Sequence, residues 1–141
     1  MKKLFVFLLF TLVISCNDNS NELYKFLPDV PVNETIFLNN PEFINLQIPF
    51  SPVVTNTGGI SGIIILNTGR DLYVAFERSA PHLTPQACSI MNVNNLVMEC
   101  DCDDSKFSLL DGAPMTDGID LPAKQYRVLV TGPDTLQIVN F

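Results

Sequence analysis

The residues in this sequence whose types suit metal or thiol chemistry lie in one short segment. His82 is the only histidine, and Cys88, Cys100 and Cys102 follow it, so all four side chains fall within 21 residues. Thiolate and imidazole groups are ligands that transition metals prefer in proteins. A structural zinc site takes four ligands, however, and the Cys-x-Cys spacing is shorter than the usual gap of about two to four residues. The segment therefore holds candidate ligands and thiols without a standard zinc motif.

The elements that must position these side chains are predicted to be β-strands. From about residue 27, short apolar stretches alternate with turn residues, and no long stretch shows the 3.6-residue period of a helix. Asn67-Thr68-Gly69 and Gly132-Pro133-Asp134 each join two such stretches and are the clearest hairpin turns. This pattern predicts one all-β sandwich or barrel over residues 27–141. The apolar stretches are residues 35–38, 43–48, 62–66, 72–76, 90–98, 126–130 and 136–139.

The first 15 residues predict a secretory signal peptide. Lys2 and Lys3 precede an apolar run of 11 residues, 4–14, in which Thr11 is the only polar residue. The run is too short for a membrane-spanning helix, which needs about 20 residues. A basic start, a short apolar stretch and a small residue at its end are typical of a signal that is removed after export.

The end of this signal, Val13-Ile14-Ser15-Cys16, resembles the lipobox of bacterial lipoproteins. In that family the cysteine is acylated and becomes the first residue of the mature protein. The resemblance implies that Cys16 is a lipid anchor, since several acyl chains on one residue are enough for stable anchoring. The alternative is ordinary cleavage nearby, with Cys16 left as a thiol. We expect a lipid-anchored protein of the bacterial cell envelope, on its periplasmic or outer-membrane side, with membrane lipid as a partner.

The charge of the mature chain excludes some partners. Loss of residues 1–15 takes the count of Lys and Arg from 8 to 6 against 15 Asp and Glu, and the net charge from −7 to −9. An acidic surface repels nucleic acid and anionic lipid headgroups, so neither is an expected partner. Residues 16–26 begin with a polar stretch without apolar periodicity, and we interpret them as a flexible tether.

The two loops around the candidate ligands resemble those of Rieske iron–sulfur domains. Such domains hold a [2Fe–2S] cluster with two cysteines on one iron and two histidines on the other, from a Cys-x-His loop and a Cys-x-x-His loop. Ser79-Ala80-Pro81-His82-Leu83 resembles the first loop, and Cys100-Asp101-Cys102-Asp103-Asp104-Ser105-Lys106-Phe107 the second. The resemblance implies an all-β Rieske-type fold of antiparallel sheets, with residues 78–108 as a small lobe like the cluster-binding one.

The ligand set departs from that of the family. His82 and Cys100 stand at ligand positions, but Ala80 and Asp103 occupy the other two. Alanine has no donor atom, and a carboxylate is a hard ligand that suits Mg²⁺ or Ca²⁺ better than a sulfide cluster. We therefore expect no [2Fe–2S] cofactor and no other metal.

Without a cluster the redox chemistry of the family is lost. We expect a binding or accessory protein that is not an enzyme, with residues 81–83 as a candidate contact surface. The alternative is an electron-transfer protein that keeps a [2Fe–2S] cluster with altered ligands. A base–nucleophile pair of His82 and Cys100 is a further possibility, but remnants of the ligand set explain both residues.

Three cysteines after Cys16 indicate one disulfide and one remaining thiol in an exported protein. In the high-potential branch of the Rieske family, a disulfide joins a cysteine after the first loop to the middle cysteine of the second. Cys102 is in that middle position, so the resemblance implies a Cys88–Cys102 disulfide. The alternative is Cys88 with Cys100, which leaves Cys102 free.

Overall fold

The structure, a computed structural model, describes residues 23–141. The predicted signal peptide, Cys16 and residues 17–22 of the predicted tether lie outside the described residues. No helix in the described range is long and apolar enough to cross a membrane. Its regular elements are two 3-10 helices, Ile44–Gln47 and Ala87–Ser89, and nine strands: β1 (Asn33–Phe37), β2 (Val53–Thr55), β3 (Ile63–Gly69), β4 (Leu72–Glu77), β5 (Asn92–Asn94), β6 (Val97–Glu99), β7 (Lys106–Ser108), β8 (Gln125–Gly132) and β9 (Thr135–Val139).

The larger of the two sheets has six strands in the order β1-β9-β8-β4-β3-β2, and every neighbouring pair is antiparallel. Strands β3–β4 and β8–β9 form the two predicted hairpins. The first turn lies later than predicted, because β3 continues through Gly69 and the turn residues are Arg70 and Asp71, with φ of 55° and 57°. Two successive residues with positive φ match the twist of a two-residue hairpin.

Strand β3 separates two hydrophobic cores. Ile63 and Ile65 are buried in one core, within the six-stranded sheet, and Ile64 and Leu66 in the other, beneath the smaller sheet. All four side chains are 0% exposed. Successive side chains of a strand point to opposite faces, so a strand that is covered on both faces reads as a continuous apolar run. The Ile-Ile-Ile-Leu run thus lies between the core of the larger sheet and the core of the lobe, and it packs against both.

The smaller sheet, in the order β5-β6-β7, belongs to the lobe of residues 78–108. The predicted single stretch 90–98 is in fact the β5–β6 hairpin, and Asn95 in its turn has a φ of 55°. A bridge between Ser79 and Ile90 links the start of the lobe to the chain before β5. The lobe therefore has its own short ladder and rests on the outer face of β3 and β4.

The stretch 43–48 is a second correction to the predicted strands, because it contains a 3-10 helix. Phe43 and Leu46, three residues apart, are buried, whereas Ile44 and Ile48 are exposed. Three residues make one turn of a 3-10 helix, so this spacing buries one side of the segment. The all-β class and the antiparallel sheets are as predicted.

Candidate functional site

The candidate site lies where two loops of the lobe meet, one after β4 and one between β6 and β7. Backbone hydrogen bonds define each loop: the N–H of Ala80 donates to the carbonyl of Ser89 at 2.8 Å, and the N–H of Cys100 donates to the carbonyl of Ser105 at 2.9 Å. Because the second loop is only six residues long, it holds its side chains close to the ladder between β6 and β7.

His82 and Asp103 are in direct contact across the two loops. Nε2 of His82 lies 2.7 Å from Oδ2 of Asp103, and the ring nitrogen donates to the carboxylate. The other carboxylate oxygen accepts the backbone N–H of Ser105 at 3.1 Å. The imidazole ring also packs against Phe107, with the ring centroids 5.9 Å apart. A carboxylate–imidazole pair therefore joins the two loops.

The electrostatics of the pair favour an ionised Asp103. Burial raises the pKa of its carboxyl, but hydrogen bonds from His82 and Ser105 outweigh that effect and lower the pKa from 3.8 to about 2. The side chain of Asp103 is 37% exposed and that of His82 is 19% exposed. Solvent therefore reaches the carboxylate, so the pair contributes less to folding than a fully buried one would.

Cys100 and Ala80 lie in the core of the lobe. They are 1% and 0% exposed, within the same cluster as Met91, Met98 and Phe107. The Cys100 thiol is free and donates to the backbone carbonyl of Cys88 at 3.5 Å. Burial is the main cause that raises the pKa of this thiol, so it is protonated at neutral pH.

A disulfide joins Cys88 to Cys102, with the Cα atoms 4.9 Å apart. Of the two pairings that the sequence left open, the structure contains this one. The side-chain amide of Gln86 donates to Sγ of Cys102 at 3.3 Å. The disulfide thus links the 3-10 helix of the first loop to the second loop, close to the His82–Asp103 contact.

The side chains at the four family positions do not fit a [2Fe–2S] cluster. Two of the four donors that such a cluster takes are missing, because Ala80 has none and Asp103 supplies oxygen in place of nitrogen. Nε2 of His82 is engaged by that carboxylate, whereas Nδ1 is buried and has no hydrogen-bond partner among the described residues. Within residues 23–141, no three His, Cys, Asp or Glu side chains are grouped as a metal site.

The predicted contact surface at residues 81–83 is small. Pro81 is buried, and His82 and Leu83 are half-buried. Leu83 packs against the core of the lobe. Little of this tripeptide is therefore accessible to a partner.

A buried carboxylate that the sequence analysis missed anchors the lobe to the larger sheet. Glu77, the last residue of β4, is 0% exposed. Its Oε1 accepts the backbone N–H groups of Ser61 and Ser79 at 3.0 and 2.9 Å. Its Oε2 accepts the N–H of Ile60 and the hydroxyl of Tyr126, each at 2.7 Å. Four donors therefore satisfy this charge, and one of them, Ser79, begins the first loop of the site.

The chain makes room for Glu77 at Gly59. This glycine has a φ of +63°, and a Cβ atom there would lie 2.4 Å from Oε2 of Glu77. Gly58 and Gly59 are adjacent, and a glycine pair usually indicates a turn. A glycine pair also permits a close approach to the backbone, and this is the one sequence feature that could have indicated the buried carboxylate.

A cavity of about 750 Å³ lies apart from the loops, between the N-terminal segment, the start of β8 and the C-terminal residues. It is lined by Tyr24, Lys25, Leu27, Asp29, Pro31, Lys124, Gln125, Tyr126, Asn140 and Phe141. None of the residues predicted for the site contributes to it. The sequence offered no motif at these positions.

Comparison with solved structures identifies the fold. The ferredoxin of carbazole 1,9a-dioxygenase from Nocardioides aromaticivorans IC177 matches 80% of this chain and 100% of its own, with 19% sequence identity and a TM-score of 0.50. The chain has the fold of a Rieske-type ferredoxin. A chain from the complex of reduced oxygenase and oxidized ferredoxin in carbazole 1,9a-dioxygenase matches 77% of this chain and 93% of its own, with 16% identity and a TM-score of 0.51. No protein-family model and no curated protein matches the sequence.

These similarities confirm the predicted fold of the Rieske-like domain. At under 20% identity they show the fold alone, and the ligand set must be judged from this chain's own residues. The chain therefore has a Rieske-type fold, with a His82–Asp103 pair where the two loops of the lobe meet.

Proposed function

We propose that this protein is a lipid-anchored, exported accessory protein whose Rieske-like domain has lost its [2Fe–2S] cluster and acts by binding, without enzyme activity. The observation that carries the proposal is the 2.7 Å contact between His82 and Asp103. The contact brings together two of the four positions that the resemblance assigns to ligands, and the side chains there bond to each other across the loops.

The packing of the lobe supports the same proposal. The methyl group of Ala80 is fully buried in the lobe core, in the position where the family has a cysteine. The thiol of Cys100 is 1% exposed and donates to the backbone carbonyl of Cys88 at 3.5 Å. Both side chains thus behave as core residues.

Protein contacts replace the cluster as the link between the two loops. The Cys88–Cys102 disulfide closes a loop with a sequence separation of 14. In the chain-entropy model a loop of this size restrains the unfolded chain by about 3 kcal/mol. Together with the His82–Asp103 pair, this link holds the loops in a Rieske-type arrangement without iron.

A second candidate function is electron transfer by a [2Fe–2S] cluster with altered ligands, and the shared fold with ferredoxins favours it. The two candidates differ in a direct measurement, the iron and acid-labile sulfide content of the protein purified anaerobically. We expect less than about 0.1 iron per chain. Two irons and two sulfides per chain, with a Rieske-type paramagnetic signal on reduction, would overturn cluster loss and establish electron transfer.

Two double variants test whether the missing ligands are the reason that the protein binds no cluster. The double variant Ala80→Cys, Asp103→His restores the family's ligand set and should take up a [2Fe–2S] cluster on reconstitution with iron and sulfide. The matched control is Ala80→Cys, Asp103→Asn, which also removes the carboxylate but leaves the set one ligand short, so it should stay colourless. Equal cluster content in both variants would show that residue 103 is not a ligand position.

The anchor is tested separately from the cluster. Intact-mass analysis of the membrane fraction should find acyl chains on a mature chain that begins at Cys16. Cys16→Ser should abolish the acylation and release the protein from membranes, whereas Ser20→Ala in the proposed tether should change neither. A Cys16→Ser protein that remains in the membrane fraction would contradict anchoring at this residue.

A further inference from the structure

The lobe contains three cysteines, and Cys88 contacts both of the others. Cys88 is bonded to Sγ of Cys102, and its backbone carbonyl accepts the thiol of Cys100 at 3.5 Å. Cys100 and Cys102 are separated by one residue in the turn after β6. The structure therefore places a free thiol beside an existing disulfide.

We propose that the lobe contains a thiol–disulfide exchange site in which Cys88 pairs with either Cys102 or Cys100. The Cys100 thiol first loses its proton to solvent. Its sulfur then attacks Sγ of Cys88, the Cys88–Cys100 bond forms and the Cys88–Cys102 bond breaks. The electron pair leaves on Sγ of Cys102, which takes up a proton, so one thiol and one disulfide are present before and after. No oxidant or reductant is consumed.

The surroundings of the three sulfurs determine the direction and the rate of the exchange. Cys100 is 1% exposed, and its burial among apolar side chains holds back formation of the attacking thiolate. Cys88 is exposed and Cys102 is half-buried. Exchange therefore requires the turn at residues 100–104 to open, and it converts a buried thiol into one that solvent reaches.

Gln86 favours the departure of Cys102. Its side-chain amide donates to Sγ of Cys102 at 3.3 Å, so the developing thiolate already has a hydrogen-bond donor. The product state presents a surface thiol that a small thiol-reactive molecule, or a second thiol under oxidising conditions, can modify. This property goes beyond the accessory function and does not depend on the identity of a binding partner.

The test is slow alkylation of the native full chain with N-ethylmaleimide, followed by peptide mapping without reduction. We expect the label to accumulate on Cys102, in chains that carry a Cys88–Cys100 disulfide, because alkylation traps the exchanged state. The labelling rate should rise with pH above 7, because the attack requires the thiolate of Cys100 and burial raises the pKa of that thiol. Label on Cys100 in chains that keep the Cys88–Cys102 disulfide would overturn the proposal.

Two variants complete the experiment. Cys100→Ser lacks the attacking sulfur, so Cys102 should stay unlabelled over the same period, and equal labelling there would point to an outside reductant and overturn the proposal. Cys102→Ala should form the Cys88–Cys100 disulfide in an oxidising glutathione buffer. If Cys102→Ala unfolds, the labelling of Cys102 in the wild type and in Cys100→Ser still tests the proposal. A folded variant that keeps two free thiols would show that the two sulfurs cannot meet.

Discussion

Replacing Glu77 by glutamine tests how the lobe is held to the larger sheet. The substitution preserves the shape of the side chain but turns one of its two oxygens into an amide nitrogen. In the wild type, Oε1 accepts two backbone N–H groups, and Oε2 accepts one backbone N–H and the hydroxyl of Tyr126. In the variant, at least two of these donors must therefore face the new amide –NH2 group, which is itself a donor.

The better of the two amide orientations sets the expected cost. With the nitrogen in place of Oε2, the hydroxyl of Tyr126 rotates to accept from it, and only the N–H of Ile60 loses its acceptor. A buried unpaired N–H costs about 1–3 kcal/mol, and the hydrogen bonds that remain lose the assistance of the charge, about 1 kcal/mol each. Relief from burying a charge offsets part of this sum. We expect Glu77→Gln to lower the free energy of unfolding by about 3 kcal/mol.

Urea unfolding at pH 7 measures this loss by linear extrapolation. Glu42→Gln is the matched control, because Glu42 is exposed and surface substitutions usually change stability by less than about 0.5 kcal/mol. The total rate of thiol labelling in the same samples should rise with Glu77→Gln, since Ser79 begins the first loop of the lobe. A free-energy loss within 1 kcal/mol of the control's would refute the argument that four satisfied donors stabilise this carboxylate.

Three further predictions concern pH and the disulfide. Burial, followed by the charge and hydrogen bond of Glu77, raises the pKa of Tyr126 above its ordinary 10.0. The stabilisation that the Tyr126 hydroxyl contributes is therefore present below pH 10 and declines as the pH rises further. Tyr126→Phe should be less stable at pH 7, and its thermal-unfolding profile should lack this alkaline decline. Because the pKa of Asp103 is lowered, its stabilisation is complete above the ordinary pKa of 3.8 and is lost as the pH falls to about 2. Solvent reaches this side chain, so Asp103→Asn should lower the free energy of unfolding at pH 7 by only about 1 kcal/mol and remove the loss of stability in acid. If the variant keeps that loss, other carboxyl groups cause it. The double variant Cys88→Ser, Cys102→Ser should lose about 3 kcal/mol in urea unfolding, and an equal loss in Cys100→Ser would show that the disulfide is not the cause.

The fold was predictable because it follows from patterns that are local in the chain. Short apolar stretches between turn residues predicted antiparallel strands, and both predicted hairpins formed, the first with its turn at Arg70 and Asp71, after the predicted Asn67-Thr68-Gly69. The errors occurred where one apolar stretch suited several structures. The stretch 43–48 contains the 3-10 helix Ile44–Gln47, because the core accepts Phe43 and Leu46 from one side, and residues 90–98 bend at Asn95 into a hairpin. Only packing against the rest of the chain distinguishes these outcomes.

The candidate site was predictable in its members but not in its geometry. The loop resemblance indicated His82, Cys100, Ala80 and Asp103, yet nothing in the spacing predicted that His82 would contact Asp103 at 2.7 Å. Glu77 was missed, because a single acidic residue at the end of an apolar strand is usually exposed. Its burial depends on donors from residues 60, 61, 79 and 126, which the fold brings together from distant parts of the chain.

The sequence by itself determined the class of the fold, the position of the two loops and the residue types at positions 80 and 103, because residue identities and turn spacing carry that information directly. The tertiary structure alone decided which side chains of the loops contact one another. A carboxylate meets an imidazole, a thiol is buried beside a disulfide, and a second carboxylate is satisfied by four donors, because each of these contacts joins side chains that are far apart in sequence or that face one another only after the strands pair. Their energies depend on distance and burial, which a list of residues does not contain.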